Sequence, residues 1–148
     1  MGRIYYAPFD NIAVTTDPDQ DIWEIATTAT QKVVLHAFEL TSASITAEFV
    51  RLRLLRRTAS GNGAAVVEVQ ADQDDAATST VVEQLALIPG AIGDILMGFQ
   101  WEQLGPLIYL PTPEMRPVVQ QNGFLALNLQ SALAATTNWS GYLVYEET

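Results

Sequence analysis

The sequence predicts an all-β chain, an antiparallel β-sandwich of eight or nine short strands with a jelly roll as the expected arrangement. Three observations carry that expectation. Apolar and polar residues alternate with a period of two in segment after segment, the helical period is nearly absent, and turn-forming clusters break the pattern at short intervals. The proposed strands are also rich in threonine, valine and tyrosine, which suit a pleated surface.

Taken along the chain, the first candidate strands are Ile12–Thr16 and Ile22–Thr27, separated by the turn Asp17-Pro18-Asp19. Val33–Leu40 follows, with Val33, Leu35 and Ala37 on one face and Val34, His36 and Phe38 on the other. Glu48–Arg57 is the clearest: Val50, Leu52 and Leu54 share a face, while Phe49, Arg51, Arg53 and Arg57 share the opposite one. Opposite chemistry on the two faces of one pleat marks a half-buried strand. After the turn Ser60-Gly61-Asn62-Gly63, Val66–Ala71 and Val81–Leu87 flank an acidic turn at Asp72-Gln73-Asp74-Asp75. Ala91–Met97, bracketed by Gly90 and Gly98, reads as a short helical turn before a strand at Phe99–Leu104. Four prolines, Pro106, Pro111, Pro113 and Pro117, keep residues 105–117 out of a central ladder and predict an extended segment over the sandwich or along an edge. Phe124–Ser131 and Gly141–Tyr145 complete the set.

One domain is expected over residues 1–148, with no repeat or linker to divide it. With 49% apolar and 16% charged residues the composition is that of a folding chain. The absence of cysteine excludes disulfides, thiolate metal sites and cysteine nucleophiles, and leaves the redox compartment unreadable. A formal charge of −10 argues against nucleic acid and anionic membrane surfaces as partners. No secretion signal is visible in the first residues. The uncharged stretch Pro117–Tyr145 is interrupted by Gln120, Gln121, Asn122, Asn128, Gln130 and Asn138, so it reads as strands rather than a membrane span.

Catalytic groups are sparse, and no enzyme activity, metal or cofactor is expected. The single histidine, His36, sits within an apolar strand and reads as a packed or hydrogen-bonded side chain. Glu102 and Glu114, near Trp101 and Tyr109, are the least implausible pair for glycoside hydrolysis, but nothing in their spacing selects them. Asp17, Asp19 and Asp21 open like a calcium loop, yet Ile22 stands where that loop needs glycine and Thr28 where it needs glutamate. That cluster and Asp72, Asp74 and Asp75 are read as solvated turns. Gly61-Asn62-Gly63 lacks the rest of either phosphate-loop pattern.

Binding features are more promising. Arg51, Arg53 and Arg57 form a cationic stripe that suits an acidic protein surface, or pairs with carboxylates of neighbouring strands. The proline-rich segment, with Pro111, Pro113 and Arg116, has the low-entropy backbone of an inter-subunit contact, or of a stiff connection. The weakly charged final third, with Trp139, Tyr142 and Tyr145, suits an oligomer interface, or a core. Trp23, Trp101, Trp139 and the tyrosines supply the alternative of sugar-stacking platforms in a carbohydrate-binding sandwich.

Trp101-Glu102, the run Leu110-Pro111-Thr112-Pro113-Glu114-Met115-Arg116-Pro117, the strand Phe124–Leu129 and the ending Gly141-Tyr142-Leu143-Val144-Tyr145-Glu146-Glu147 resemble a pattern in small structural proteins of tailed phages. The resemblance covers roughly residues 101–147, with a looser match at Phe38-Glu39-Leu40 and Glu48–Arg53. Such proteins are similar to capsid decoration, or cement, proteins. The resemblance implies a noncatalytic jelly roll that assembles as a dimer or trimer, binds the major capsid protein and reinforces the outer shell of the virion. It implies synthesis in the host cytoplasm and carries over no catalytic residues. A fibre-associated virion module is the neighbouring alternative.

Overall fold

The computed structural model describes residues 2–148, and over these the chain folds into two antiparallel sheets stacked face to face. Eight strands have six residues or more: β1 (Arg3–Val14), β2 (Gln20–Ala26), β3 (Val33–Ser42), β4 (Phe49–Arg57), β7 (Val81–Ala86), β8 (Ile92–Glu102), β11 (Phe124–Leu129) and β12 (Thr137–Glu147). Four strands of two or three residues, β5 (Ala64–Ala65), β6 (Val69–Gln70), β9 (Leu107–Tyr109) and β10 (Val118–Val119), bring the total to about twelve. Sheet A runs β10-β3-β12-β1-β6, with β9 also paired to β3; sheet B runs β5-β7-β2-β11-β4-β8.

Alternation along the strands builds the core. Tyr5, Ala7 and Phe9 of β1 and Leu143 and Tyr145 of β12 point inward from sheet A, meeting Ile25, Val50, Leu52, Leu54, Leu125 and Leu127 of sheet B. Aromatic rings bridge the layers edge to face, with centroids 5.5 Å apart for Trp23 and Phe38 and 5.1 Å for Trp101 and Trp139. Two indole N–H groups find partners: Trp139 donates to Gln103 Oε1 at 3.0 Å and Trp101 to the Gly105 carbonyl at 2.8 Å. Gln103 is itself buried, its amide nitrogen donating to Glu48 at 2.9 Å. Such an amide closes the end of the sandwich without leaving polar atoms orphaned.

Two expectations need correction. The helical turn over Ala91–Met97 is instead the first half of β8, an eleven-residue strand paired with β4 through two register shifts. Those bulges break the period of two, so its apolar residues fall at spacings that imitate a helix. The strand expected at Val66–Ala71 is reduced to the two residues of β6, with β5 lying just before it. At the other end of the chain β1 begins nine residues before the expected Ile12. Pro8 is tolerated because β6 pairs only with Tyr5 and Tyr6, and the bulge between Phe9 and Ile12 places Asn11 at φ 51°.

Candidate interaction surfaces

The arginine stripe lies on the outer face of sheet B, but its three members meet different fates. Arg57 is buried, with a side chain 1% exposed. Its Nε and a terminal nitrogen donate to the two carboxylate oxygens of Asp21 at 3.0 and 2.5 Å, and its other terminal nitrogen donates to the Gly90 carbonyl at 2.9 Å. Asp21 is fully buried; desolvation pushes its carboxyl up, while Arg57 and Asn128 pull it back toward the ionised form. Arg53 donates twice to Asn128 Oδ1, at 3.2 and 2.8 Å. The Asn128 amide in turn donates to Asp19 Oδ1, Asp21 Oδ1 and the Gln20 carbonyl. Register explains the cluster, because Asn128 on β11 stands between Arg53 on β4 and Asp21 on β2. Arg57 is therefore a structural residue rather than a partner-binding one. Asp21 likewise departs from the solvated turn expected of it.

Arg51 remains. It is exposed and makes no side-chain ion pair or hydrogen bond among the described residues. With Arg53, Gly98, Gln100 and Gln130 it lines an open cleft of about 330 Å³.

The proline-rich segment runs along the edge of sheet A. β9 pairs with Phe38–Leu40 and β10 with Val33–Val34, so both ends are stitched to β3. Between them Thr112-Pro113 opens a single 3-10 turn at Pro113–Met115. The segment turns large apolar side chains outward: Ile108 is 63% exposed, Leu110 75% and Met115 67%. Pro113 is exposed beside them, whereas Pro111 and Arg116 are half-buried.

The aromatic group of the final third is split by the pleat. Trp139 and Tyr145 are fully buried and belong to the core, so neither forms an interface surface. Burial pushes the Tyr145 hydroxyl well above the ordinary tyrosine range. Tyr142 points the other way, its hydroxyl donating to Glu39 at 3.1 Å. It lies on the outer face of sheet A, in a cross-strand row with Pro8 and Glu39, and Ile108 extends that row on β9. Trp23 and Trp101 are buried too, which removes all three tryptophans as sugar platforms.

Among the carboxylates, Glu102 accepts from the backbone N–H groups of Glu48 and Leu104, both at 3.2 Å. Its partner in the hydrolase alternative, Glu114, is exposed on the 3-10 turn. His36 Nε2 lies 3.0 Å from Glu146 Oε2 on the outer face of sheet A, a hydrogen-bonded strand histidine. Asp72 caps its own turn by accepting from the Asp74 N–H, and Asp75 lies 3.8 Å from Arg3.

Glu147 carries a role the sequence did not signal. Its buried carboxylate accepts from Thr78 Oγ1 and Thr80 Oγ1, both at 2.7 Å, and from the Thr80 N–H at 2.9 Å. Burial alone would raise its carboxyl, but the hydrogen bonds from Thr80 and Thr78 outweigh burial and hold it below the usual glutamate range. The side chain thus fixes the 76–80 loop against the end of β12.

No protein-family model matches the chain, and comparisons with curated proteins and with solved structures return no match.

Proposed function

We propose that the chain is a noncatalytic virion structural protein of the capsid decoration type, a homo-oligomer that binds the major capsid protein on the outer shell and reinforces it. The observation that carries the reading is the segment 104–115, a proline-stiffened run stitched to sheet A that holds Leu104, Ile108, Leu110 and Met115 more than half exposed. Apolar side chains on a backbone that has little entropy left to lose are suited to burial against a partner. The strand order supports the same reading. With the short strands β5, β6 and β10 and the edge strand β7 set aside, β1-β12-β3-β9 faces β2-β11-β4-β8, an interleaved order that supports reading the sandwich as a jelly roll, a domain type found in viral capsids. The resemblance over residues 101–147 supports the virion setting.

Self-association is assigned to the outer face of sheet A, where Tyr6 and Tyr142 are exposed, in place of the buried Trp139 and Tyr145. Closed dimers or trimers are the usual outcome of such a self-complementary patch. The lectin alternative loses its tryptophans to the core. A fibre-associated role has no observation of its own in the structure.

The test uses shells purified without this protein. Added wild-type chain should bind at many copies per shell and raise the temperature at which shells rupture. The variant Leu110→Asp/Met115→Asp should stay folded and leave both quantities at the level of untreated shells. Equal occupancy by wild type and variant would remove the segment as the docking element, and absence of binding by the wild type would overturn the reading.

A further inference from the structure

A β-sandwich exposes four sheet edges, and three of them here are blunted. β5 and β6 each present only two residues. The edge formed by β9 and β10 offers three and two residues and is broken by prolines. Short edge strands and prolines are the ordinary protections against unwanted strand pairing. β8 has neither. It is eleven residues long, closes sheet B at its outer end, and pairs only with β4.

The second half of β8 is also unusually plain. Beyond the two bulges its register with β4 is regular from Met97 to Glu102. Ile95–Trp101 contains no charged residue and no proline. Of its flanking acids, Glu102 accepts two backbone N–H groups, and the exposed Asp94 lies 3.9 Å from Arg56. Gly98 leaves room above the strand, since a Cβ there would meet only the Leu52 carbonyl at 3.8 Å. Directly inward from Gly98 stands Arg53, and inward from Gln100 stands Arg51. Arg53 is occupied by Asn128, whereas Arg51 has no partner among the described residues.

We propose that the free edge of β8 is a docking site for an extended acidic segment of a partner chain, which adds to sheet B as a further strand and sets a carboxylate on Arg51, reached diagonally through the cleft that Arg51 shares with Gly98 and Gln100. Two strand spacings, about 10 Å, separate β4 from the added strand, a span that an arginine and a glutamate side chain close between them. Strand addition of this kind takes its affinity from main-chain hydrogen bonds and its selectivity from alternate side chains. Charge decides the occupant. A second copy paired through its own β8 would bring the same cationic strip to the edge and leave both Arg51 side chains unmatched. An acidic strand matches Arg51 with the charge-assisted, two-pronged contact that guanidinium groups favour. The inference goes beyond the virion reading and does not rest on it.

The experiment uses the full chain and a fluorescent nine-residue peptide alternating threonine and glutamate, followed by anisotropy and by amide hydrogen exchange across residues 97–102. The expected result is saturable binding, slowed exchange confined to β8, and loss of binding when every second peptide nitrogen is methylated. Arg51→Glu should weaken the peptide about tenfold or more with unchanged unfolding. A lysine-for-glutamate peptide that binds equally, indifference to N-methylation, or no binding at millimolar peptide would each overturn the proposal. So would a chain that sediments as a dimer with β8 already protected, which would make this edge a contact between copies. None of these failures bears on whether the chain travels with virions.

Discussion

Replacing Arg57 separates the structural half of the arginine stripe from the half left free. In Arg57→Ala the fully buried Asp21 carboxylate loses two hydrogen bonds, at 3.0 and 2.5 Å, and the Gly90 carbonyl loses one at 2.9 Å. Removing one partner of a buried ion pair leaves an uncompensated charge and costs about 3–5 kcal/mol. That is a large part of the roughly 5–15 kcal/mol by which whole domains are stable. Urea unfolding followed by tryptophan fluorescence should show a lower midpoint, with the slope little changed. In Arg57→Met/Asp21→Asn the charge disappears and the asparagine oxygen still accepts from Asn128, so at least about half of the loss should be recovered. Arg51→Glu, on an exposed side chain without a partner, should shift stability by no more than about 0.5 kcal/mol. If Arg57→Ala cost under about 1 kcal/mol, or as little as Arg51→Glu, the division of the stripe would be refuted.

Two further outcomes follow from the same reasoning. Glu147 has a depressed folded-state pKa, so its contribution is fully present above its unfolded value of 4.5 and is lost as pH falls through the lower folded value. Unfolding midpoints measured from pH 7 to pH 3 should therefore decline in that acid window, and Glu147→Gln should flatten the decline. Gly141→Ala places a Cβ 2.0 Å from the Glu39 carbonyl oxygen, a backbone atom that cannot step aside without breaking the β3–β12 ladder. It should destabilise by about 1–3 kcal/mol or more in urea unfolding, as overpacking does.

How much of this was legible in the sequence depends on the range of the contact involved. Phe49–Arg57 was readable because one unbulged pleat separates Val50, Leu52 and Leu54 from the arginines beside them. Proline chemistry kept residues 105–117 out of a central ladder but left open whether they lie over the sandwich or along an edge, which the pairing of β9 with β3 decides. The first half of β8 was not readable, since two bulges erase the period of two and Gly90 and Gly98 imitate helix boundaries. The first half of β1 hid behind Pro8 and the bulge at Asn11. The fate of the stripe depended on register. Nothing local to Arg57 announces Asp21, which lies thirty-six residues away and reaches it across β11. The final third was ambiguous for a similar reason. Alternation groups Trp139, Leu143 and Tyr145 against Tyr142 and Val144, but only the stacking of the sheets decides which group is inside. Glu147 gave no signal because its three donors belong to a loop about seventy residues earlier.

The central claim is that this chain is a component of a virus particle, and a density-gradient fractionation of lysate from its native source tests it most directly. The chain should be found by antibody in the band of intact particles, at many copies per particle, and should remain there after a high-salt wash. A chain found only with soluble protein at the top of the gradient, in a lysate whose particle band holds the major capsid protein, would contradict the account.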